Sequence, residues 1–368
     1  MTVAIKDTCP IKVCFIAPKA YPIFNPAIRE VFGGAQLDLY LLATELAKDS
    51  AFAVSFITAD YGQKLVEVIE NVRVIKSFKF RHNSVSATWR LLKAMWIIDA
   101  DIYFLKASAA GAFLIAAYAK LRGRTFIYRT ASQGECDGTY IKQHLFAGML
   151  FKWAMKWARY VLVQNETDGI NIKRTMGITS IHIPNGHRIT NTSTVAKDCI
   201  LWVGRSAKVK RPELFIKLAR QFPSEHFVMI CQKNIDDTEY SSLVTAAAAV
   251  QNLEFLKHVP FEQVNNYFLR AKVLVNTSDS EGFPNTFIQA GVGKVAILSL
   301  NVNPDGFLDK YGCGKFSKGD WQNFTDMLAQ LLVPATAAEY CANTRRYVEE
   351  KHNITVLIKE YKELIKGI

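Results

Sequence analysis

The chain alternates short runs of β-branched and aromatic residues with longer segments of helical periodicity, and this alternation limits its possible folds more than any other feature. Strand-like runs in the first half read KVCFIAP, AVSFITA, DIYFL, TFIYR and YVLVQN, and predicted helices lie between them near Gln36–Lys48, Ala107–Ala119 and Tyr140–Arg159. Strands separated by helices pair in parallel, because each helix returns the chain to the same end of the sheet. The first half is therefore predicted to be an α/β domain with an open, doubly wound parallel sheet.

The second half repeats this pattern after an irregular segment. The sequence IPNGHRITNTSTV is rich in turn residues, and the strand-like runs CILWVGR, FVMIC, LEFLKHV, KVLVNTS and VAILSL follow it. A chain of 368 residues is also longer than most single domains. We therefore predict two domains, 1–195 and 196–345, followed by a C-terminal helix over 346–368 that either caps the second domain or crosses back to the first.

Composition argues against several other classes of protein. No tract is low in complexity, the N-terminal residues lack an apolar signal core, and the apolar run Ala107–Ala119 is too short to span a bilayer. The seven cysteines are scattered, without the paired spacing of zinc or redox sites. Reduced, mostly buried thiols in a cytoplasmic protein are therefore expected.

Charge is distributed unevenly along the chain, whose formal net charge is +12. Residues 1–195 carry 24 Lys and Arg against 14 Asp and Glu, whereas residues 196–368 carry 21 against 19. A polyanionic or membrane-surface partner would therefore bind the first half. Charge alone would also fit a nucleic-acid-binding protein, but no recognised module or aromatic stacking motif supports that function.

Two predicted helices of the first half combine aromatic with basic residues, in HLFAGMLFKWAMKWARY and in SATWRLLKAMW. The first contains Phe151, Trp153, Trp157 and Tyr160 among Lys152, Lys156 and Arg159. Such a helix suits the headgroup level of an anionic membrane. The alternative is an amphipathic core helix with its lysines in water. We expect a cytoplasmic protein, with peripheral contact to the inner face of the membrane as a hypothesis.

The segment SDSEGFPNTFIQAG follows the buried strand KVLVNTS and opens a short predicted helix. Pro284 suits the first helical position, so the amides of Asn285 and Thr286 would point out of the helix end and form a seat for phosphate. Gly282 lets a ligand approach the backbone, and Glu281 could accept hydrogen bonds from hydroxyl groups. The alternative is an ordinary strand-to-helix turn with an exposed glutamate.

Two further loops follow the first strands of the two halves. In WVGRSAKVKR, Gly204 would turn the chain and Arg205 and Lys210 would project two cations toward the same sheet edge, as a diphosphate requires. A solvated basic loop is the alternative. In EVFGGAQLDL, Gly33 and Gly34 permit close approach by a ligand, but the G-x-G-x-x-G spacing of a dinucleotide fingerprint is missing, and a simple turn would also explain them.

Four segments together resemble the GT-B glycosyltransferases of the family 4 type, also described as glycosyl transferases group 1. The segments GGAQ, VGRSAKVKRPEL, FLKHVPFEQV and SEGFPNTFIQAG match that family in order and spacing. The likeness covers most of the chain and is strongest in its second half. It implies two Rossmann-like domains with parallel sheets that face each other across a cleft. The second domain would hold a nucleotide-diphosphate sugar and the first a glycan or lipid-linked glycan acceptor.

The resemblance also implies roles for individual residues. Arg205 and Lys210 would bind the donor diphosphate and stabilise the leaving group in place of a metal ion, and Glu281 would contact the donor sugar. Members of this family generally transfer sugars with retention of anomeric configuration and without a metal or other cofactor. The remaining donor-binding positions implied by the motif are Gly33, Gly34, Gly282, Phe283, Pro284, Asn285, Thr286 and Gln289.

Three departures from the family pattern fall at the predicted site. Gln289 stands where the family usually has a second carboxylate, and an amide accepts a ribose hydrogen bond more weakly than a charged group does. A histidine that often follows the strand TFIYR is missing, and Arg129, Ser132 and Asp137 are the nearby polar groups. The turn ICQKN lacks the family's glycine, so the nucleobase contacts do not transfer.

The sequence is therefore compatible with three functions. The first is a retaining glycosyltransferase of cell-envelope polysaccharide synthesis. The second is a sugar-nucleotide epimerase of the same architecture, although the sequence shows no convincing acid/base pair for it. The third is a non-catalytic sugar-nucleotide-binding protein, for which Gln289 is the only indication.

Overall fold

The computed structural model describes residues 9–106, 109–190, 195–234 and 237–368. Contacts divide the chain into two compact units, one formed by Met1–Gly186 with Ile354–Ile368 and the other by His187–Asn353. Ala107 and Ser108 of the predicted apolar helix, and residues 191–194 of the predicted linker, lie outside the described residues.

The first unit contains a sheet of eight strands among its described residues. These are β1 (Ile11–Ile16), β2 (Phe52–Thr58), β3 (Val66–Ile69), β4 (Val72–Lys76), β5 (Ile102–Lys106), β6 (Thr125–Arg129), β7 (Tyr160–Val163) and β8 (Ile181–His182). Their order is β3-β4-β2-β1-β5-β6-β7-β8, and only the edge pair β3 and β4 is antiparallel among the paired strands of the described chain. The predicted parallel sheet is confirmed.

The helices of the first unit connect these strands. They are α1 (Tyr21–Phe24), α2 (Gly34–Leu46), α3 (Ser84–Ile98), α4 (Ala109–Leu121), α5 (Gln133–Cys136), α6 (Thr139–Gln143), α7 (Leu145–Trp157) and α8 (Glu166–Met176). In α3 the buried residues Leu91, Ala94, Met95 and Ile98 recur at helical spacing and enter the core beside the sheet. In α7, Phe151 is fully buried and packs into the same core.

The described residues of the second unit form six strands in one parallel sheet. They are β9 (Cys199–Arg205), β10 (Phe227–Gln232), β11 (Leu253–Leu256), β12 (Ala271–Asn276), β13 (Ala296–Ser299) and β14 (Gly314–Phe316), in the order β11-β10-β9-β12-β13-β14. Strands β10 and β11 are added in turn on one side of β9, and strands β13 and β14 are added in turn on the far side of β12. The order therefore reverses between β9 and β12, which are neighbours.

Helices cover both faces of the second sheet. They are α9 (Pro212–Gln221), α10 (Tyr240–Ala248), α11 (Phe261–Arg270), α12 (Asn285–Val292), α13 (Phe307–Lys310), α14 (Trp321–Leu331) and α15 (Pro334–Lys351). One buried cluster includes Phe287 and Phe307, and another includes Phe215 and Phe324. With both faces buried, the strands are almost continuously apolar, as the runs FVMIC and KVLVN show. The α/β class predicted for both halves is confirmed.

The last helix, α16 (Ile354–Lys366), packs within the first unit. Its Tyr361 is buried with its ring 6.3 Å from that of Phe104, and Lys362 Nζ lies 2.8 Å from Asp49 Oδ2. The C-terminal helix therefore contributes to the hydrophobic core of the first unit.

Candidate functional site

The carboxyl ends of β9 and β12 lie side by side at the point where the strand order of the second sheet reverses. In open α/β sheets, ligands bind outside the carboxyl ends of the strands at this topological switch point. Residues 206–211 follow β9 and residues 277–284 follow β12. Both predicted donor-binding loops therefore leave the position in the fold where a ligand is expected.

Lys210 and Glu281 are in direct contact between these loops. Lys210 ends a short 3-10 turn, Lys208–Lys210, and its Nζ lies 2.5 Å from Glu281 Oε2. The other carboxylate oxygen, Oε1, accepts hydrogen bonds from Ser278 Oγ at 2.7 Å and from Asn276 Nδ2 at 3.0 Å. The carboxylate is thus oriented by three side chains, and both it and the ammonium group remain partly exposed.

The environment of Glu281 keeps it ionised. Burial alone would raise the pKa of this carboxyl group, but the charge of Lys210 and the hydrogen bonds from Lys210, Ser278 and Asn276 outweigh it and hold the pKa below its ordinary value. An ionised carboxylate only accepts hydrogen bonds. Glu281 is therefore suited to accept hydrogen bonds from hydroxyl groups and poorly suited to donate a proton at neutral pH. Its contact with a ligand stays a prediction.

Arg205 is the last residue of β9, and its side chain is exposed. Gly204 does not turn the chain, contrary to the sequence prediction, because it lies within β9. Its role is steric: a Cβ atom at this position would come within 2.8 Å of the ring of Trp202, two residues earlier on the strand. The glycine therefore makes room for a buried tryptophan.

Helix α12 begins at Asn285, one residue later than predicted. Pro284 is not the first helical residue but precedes it, because its ψ of 124° is extended. The first amides of the helix are those of Asn285 and Thr286, at the positive end of the helix dipole. The dipole of the helix and its first turn therefore offer positive potential beside Glu281.

The side chain of Phe283 belongs to the core. Its ring lies 5.2 Å from that of Phe307 and 4.6 Å from that of His352. Gly282 and Pro284, on either side, are also buried. Any contact between Phe283 and a ligand must therefore use its backbone, as the predicted phosphate seat requires.

Gln289 lies about one turn from the start of α12 and is buried. Its Nε2 is 3.5 Å from Asn265 Oδ1 on α11, which is a long hydrogen bond. The side-chain amide of Gln289 is therefore only weakly hydrogen-bonded to Asn265. The ribose-binding role of Gln289 stays a prediction.

Gly33 and Gly34 lie in the first unit, whereas the other predicted site residues lie in the second. Gly33 caps α2 and its N–H donates to Gln36 Oε1 at 2.8 Å. The glycines thus open a helix, as predicted, and their contact with a ligand stays a prediction.

Arg129, one of the polar groups near the end of the strand TFIYR, is completely buried. Its guanidinium donates to Asp38 Oδ2 at 2.8 Å, to Asn185 Oδ1 at 2.8 Å and to the carbonyl of Ile183 at 2.9 Å. Lys106 Nζ donates to the same Asp38 oxygen at 2.8 Å. Arg129 therefore maintains the structure of the first unit.

The other two candidates beside β6 have local partners. Asp137 Oδ1 accepts from the backbone N–H of Thr139 at 2.8 Å, and Ser132 precedes α5 with its side chain exposed. No role in binding an acceptor follows from these contacts.

Sequence reasoning missed the residues that orient Glu281. Asn276 and Ser278 stand in the segment NTSDSE, but their direction depends on the fold of the loop. The motif could have indicated them, because short polar side chains at a strand end commonly bond to nearby groups. Within the described ranges, no group of three or more His, Cys, Asp or Glu could hold a metal ion.

The fold agrees with comparisons to known proteins. Residues 188–351 match the model of the family glycosyl transferases group 1. No curated protein sequence matches the chain. The family match thus covers the unit that contains Lys210, Glu281 and α12.

Solved structures resemble nearly the whole chain. Sucrose-phosphate synthase from Thermosynechococcus elongatus shares 17% identity at a TM-score of 0.80, covering 97% of this chain and 98% of that one. HepE of Anabaena, in complex with UDP, shares 13% at a TM-score of 0.71, covering 97% and 100%. WaaG, a glycosyltransferase involved in lipopolysaccharide biosynthesis, shares 13% at a TM-score of 0.72, covering 97% and 100%. The GT-B fold and the resemblance drawn from the sequence are confirmed.

Proposed function

Because residues 188–351 match the glycosyl transferases group 1 family within a GT-B fold, we propose that this protein transfers a sugar from a nucleotide-diphosphate sugar to a glycan or lipid-linked glycan. The observation that carries the proposal is the contact of Lys210 with Glu281 at the switch point between β9 and β12. This contact places Lys210, a cation suited to bind phosphate, beside Glu281, an oriented carboxylate suited to accept hydrogen bonds from sugar hydroxyls.

The chemistry assigned to these residues follows from their charges. The donor diphosphate lies against Arg205, Lys210 and the first turn of α12, where positive potential stabilises the charge that develops on it. The bond between the anomeric carbon and the phosphate oxygen breaks, and its electron pair leaves with the diphosphate. The acceptor oxygen forms the new bond and loses its proton to the departing phosphate. Glu281 accepts hydrogen bonds from the donor sugar and keeps it in place.

Metal independence and retention of configuration are part of the proposal. Two cations at one diphosphate supply the charge that a metal ion would otherwise provide. Departure of the phosphate from the same face on which the acceptor arrives would preserve the anomeric configuration, and the phosphate would take the acceptor's proton there. Product stereochemistry, read by proton NMR, distinguishes retention from inversion.

The choice of donor and acceptor rests on likeness. HepE was solved with UDP, so UDP-sugars are the first donors to test. WaaG takes part in lipopolysaccharide biosynthesis, which supports an acceptor of the cell envelope. Thermal-shift measurements against UDP-, GDP-, ADP- and CMP-sugars identify the donor, and product analysis follows with the best of them.

The same screen separates the alternatives. A sugar-nucleotide epimerase would change the sugar without an acceptor, and a non-catalytic protein would bind a nucleotide sugar without turnover. Stabilisation by no nucleotide sugar would refute all three functions. Epimerisation needs a pair of groups that exchange protons with the sugar, and the sequence shows no convincing pair of this kind.

Peripheral membrane contact is a further part of the proposal. Four tryptophans on two helices of the first unit are exposed to different degrees: Trp89 (60%) and Trp96 (64%) on α3, and Trp153 (45%) and Trp157 (37%) on α7. Basic residues accompany them, including Lys93 and Lys156, which are also exposed. Exposed indoles beside lysines suit the headgroup region of an anionic bilayer.

Helices α3 and α7 also fit the alternative prediction, in which each is an amphipathic helix with one face in the core. Phe151 of α7 is not available to a membrane because it is fully buried, and Trp157 packs on Phe113 of α4 at a ring distance of 5.3 Å. Each helix thus has one face in the core and an aromatic face in solvent. Among the described residues, no helix is long and apolar enough to cross a membrane. Five of the seven cysteines are buried free thiols, which supports a reducing, cytoplasmic location.

A further inference from the structure

Thr277 joins the two loops of the candidate site through its side chain. Its Oγ1 lies 2.7 Å from the carbonyl oxygen of Lys210 and 3.0 Å from the indole Nε1 of Trp202. Thr277 and Trp202 are both buried. The three residues come from β9, the turn after it, and the loop that follows β12.

The direction of these hydrogen bonds follows from the chemistry of the groups. An indole N–H can only donate, so the Thr277 oxygen must accept from Trp202. A carbonyl oxygen can only accept, so the single hydroxyl proton of Thr277 must point to Lys210. The hydroxyl rotor is therefore fixed in one orientation.

The backbone beside Lys210 needs such an anchor. The next residue, Arg211, has φ 49° and ψ 50°, which is the left-handed region, and it precedes Pro212. A residue with a Cβ is disfavoured there, and a residue before proline favours extended backbone. A strained turn persists only where surrounding contacts hold it.

One other contact between the loops is made by backbone atoms. Asp279 N donates to the carbonyl of Val209 at 2.8 Å, and this bond survives any side-chain change at 277. Arg211 Nη1 also lies 3.3 Å from Asp279 Oδ1, but this pair is exposed and therefore weak. Thr277 is thus the buried side chain that ties the backbone of Lys210 to the strand carrying the Glu281 loop.

We propose that Thr277 is a positioning residue, whose hydroxyl fixes the backbone of Lys210 so that its ammonium group faces Glu281 and the donor diphosphate. This inference rests on the proposed function. Thr277 does not touch the substrate; it acts through Lys210. Loss of the hydroxyl would displace the ammonium group, and small displacements of a catalytic group are costly in rate.

The test compares kcat and KM of variants for release of nucleoside diphosphate from the nucleotide sugar that the donor screen selects. Thr277→Val removes the hydroxyl at nearly constant shape, and we expect kcat to fall about 10- to 100-fold. Thr277→Ser keeps the hydroxyl and should stay within about 3-fold of the parent. Equal turnover of Thr277→Val and the parent would overturn the inference.

A double-mutant cycle separates positioning from general damage. In a Lys210→Ala background, Thr277→Val should lower kcat no further, because the group that it positions is already missing. A second, independent loss of the same size would show that Thr277 acts elsewhere and would overturn the inference.

Thr277→Val also leaves the buried indole N–H of Trp202 without its partner, which could impair folding. The double variant Trp202→Phe/Thr277→Val removes that donor as well. We expect it to fold and to keep the low kcat, whereas recovery of parental kcat would contradict a role for the bond to Lys210. Trp202→Phe alone retains that bond and should remain active.

The outcomes distinguish the two proposals. An active parent with an active Thr277→Val variant overturns the positioning role and leaves the proposed function intact. A parent that neither binds nor cleaves any nucleotide sugar of the screen overturns the proposed function, and the positioning role falls with it.

Discussion

At the scale of single residues, the site is defined by how one carboxylate is held. Glu281 receives Lys210 on one oxygen and Ser278 and Asn276 on the other. This arrangement fixes the direction of the carboxylate and keeps it charged. A ligand that brings phosphate to Lys210 and hydroxyl groups to Glu281 would use both halves of the pair.

Lys210→Ala should abolish most turnover while the protein stays folded. Removal of one preorganised cation at a developing charge typically costs about 10²- to 10³-fold in kcat. Lys208→Ala is the matched control, because Lys208 lies in the same turn and is exposed. Equal kcat values for the two variants would show that Lys210 does not meet the leaving group.

Glu281→Gln keeps the shape of the side chain but removes its charge. The amide still accepts hydrogen bonds, more weakly than a carboxylate does. We expect KM for the donor to rise and kcat to fall, each by roughly 10-fold. Unchanged values of both would remove Glu281 from the donor site.

Gln289→Glu restores the carboxylate usual in the family at this position. If Gln289 binds ribose, a charged acceptor should preserve activity and tighten donor binding, which calorimetry with the selected nucleoside diphosphate would measure. Loss of activity would show that the ribose assignment is wrong.

Glu135, in the first unit, is predicted to make stability depend on pH. Burial raises its pKa to about 7, although Tyr128 and the backbone N–H of Ala131 donate to it, with Lys106 and Asp168 nearby. The folded state thus holds a proton that the unfolded state releases at lower pH. The contribution of protonated Glu135 to the free energy of unfolding is therefore fully present below the ordinary pKa of about 4.5. This contribution is lost as pH rises through the folded-state pKa of about 7.

Glu135→Gln should therefore raise the free energy of unfolding at pH 8 by roughly 3 kcal/mol and change it little at pH 4.5. Urea unfolding at both pH values measures this difference. Glu363→Gln on α16 is the control, because Glu363 is exposed in the same unit. An equal effect of Glu135→Gln at both pH values would contradict the buried-acid explanation.

At the scale of elements, helices α3 and α7 each divide into a buried face and an aromatic face in solvent. The apolar residues of α3 that enter the core recur at helical spacing, which leaves Trp89 and Trp96 pointing away from it. A chain does not gain stability from leaving indoles in water. An anionic bilayer is the partner that we propose for this surface.

Replacing Trp89 and Trp96 by serine should weaken co-sedimentation with liposomes that contain anionic lipid, with little change in thermal stability. Leu91→Ser is unsuitable for this test because Leu91 is buried. Binding should also weaken as salt is added, since the lysines act by charge. Equal sedimentation with neutral and anionic liposomes would contradict the membrane proposal.

At the scale of the whole molecule, the sequence predicted the class of fold because alternating strands and helices leave few alternatives to parallel α/β units. It also predicted that the loops after β9 and β12 share one sheet edge, because parallel strands end together. The contact between Lys210 and Glu281 then follows from the neighbouring positions of those strands.

Other features depend on packing that no local pattern records. Gly204 was predicted to turn the chain, but the ring of Trp202 explains the glycine. Pro284 precedes α12 rather than beginning it, since proline at a helix start fits either position by its φ angle. The role of Arg129 depends on its buried partners Asp38 and Asn185, which come from distant segments of the sequence.

The measurement that tests the central claim most directly is a crystal structure of the protein with the nucleoside diphosphate selected by the donor screen. We predict that the diphosphate lies outside the carboxyl ends of β9 and β12, within hydrogen-bonding distance of Arg205, Lys210 and the first amides of α12. A diphosphate bound elsewhere, with Lys210 and Glu281 untouched, would contradict the claim.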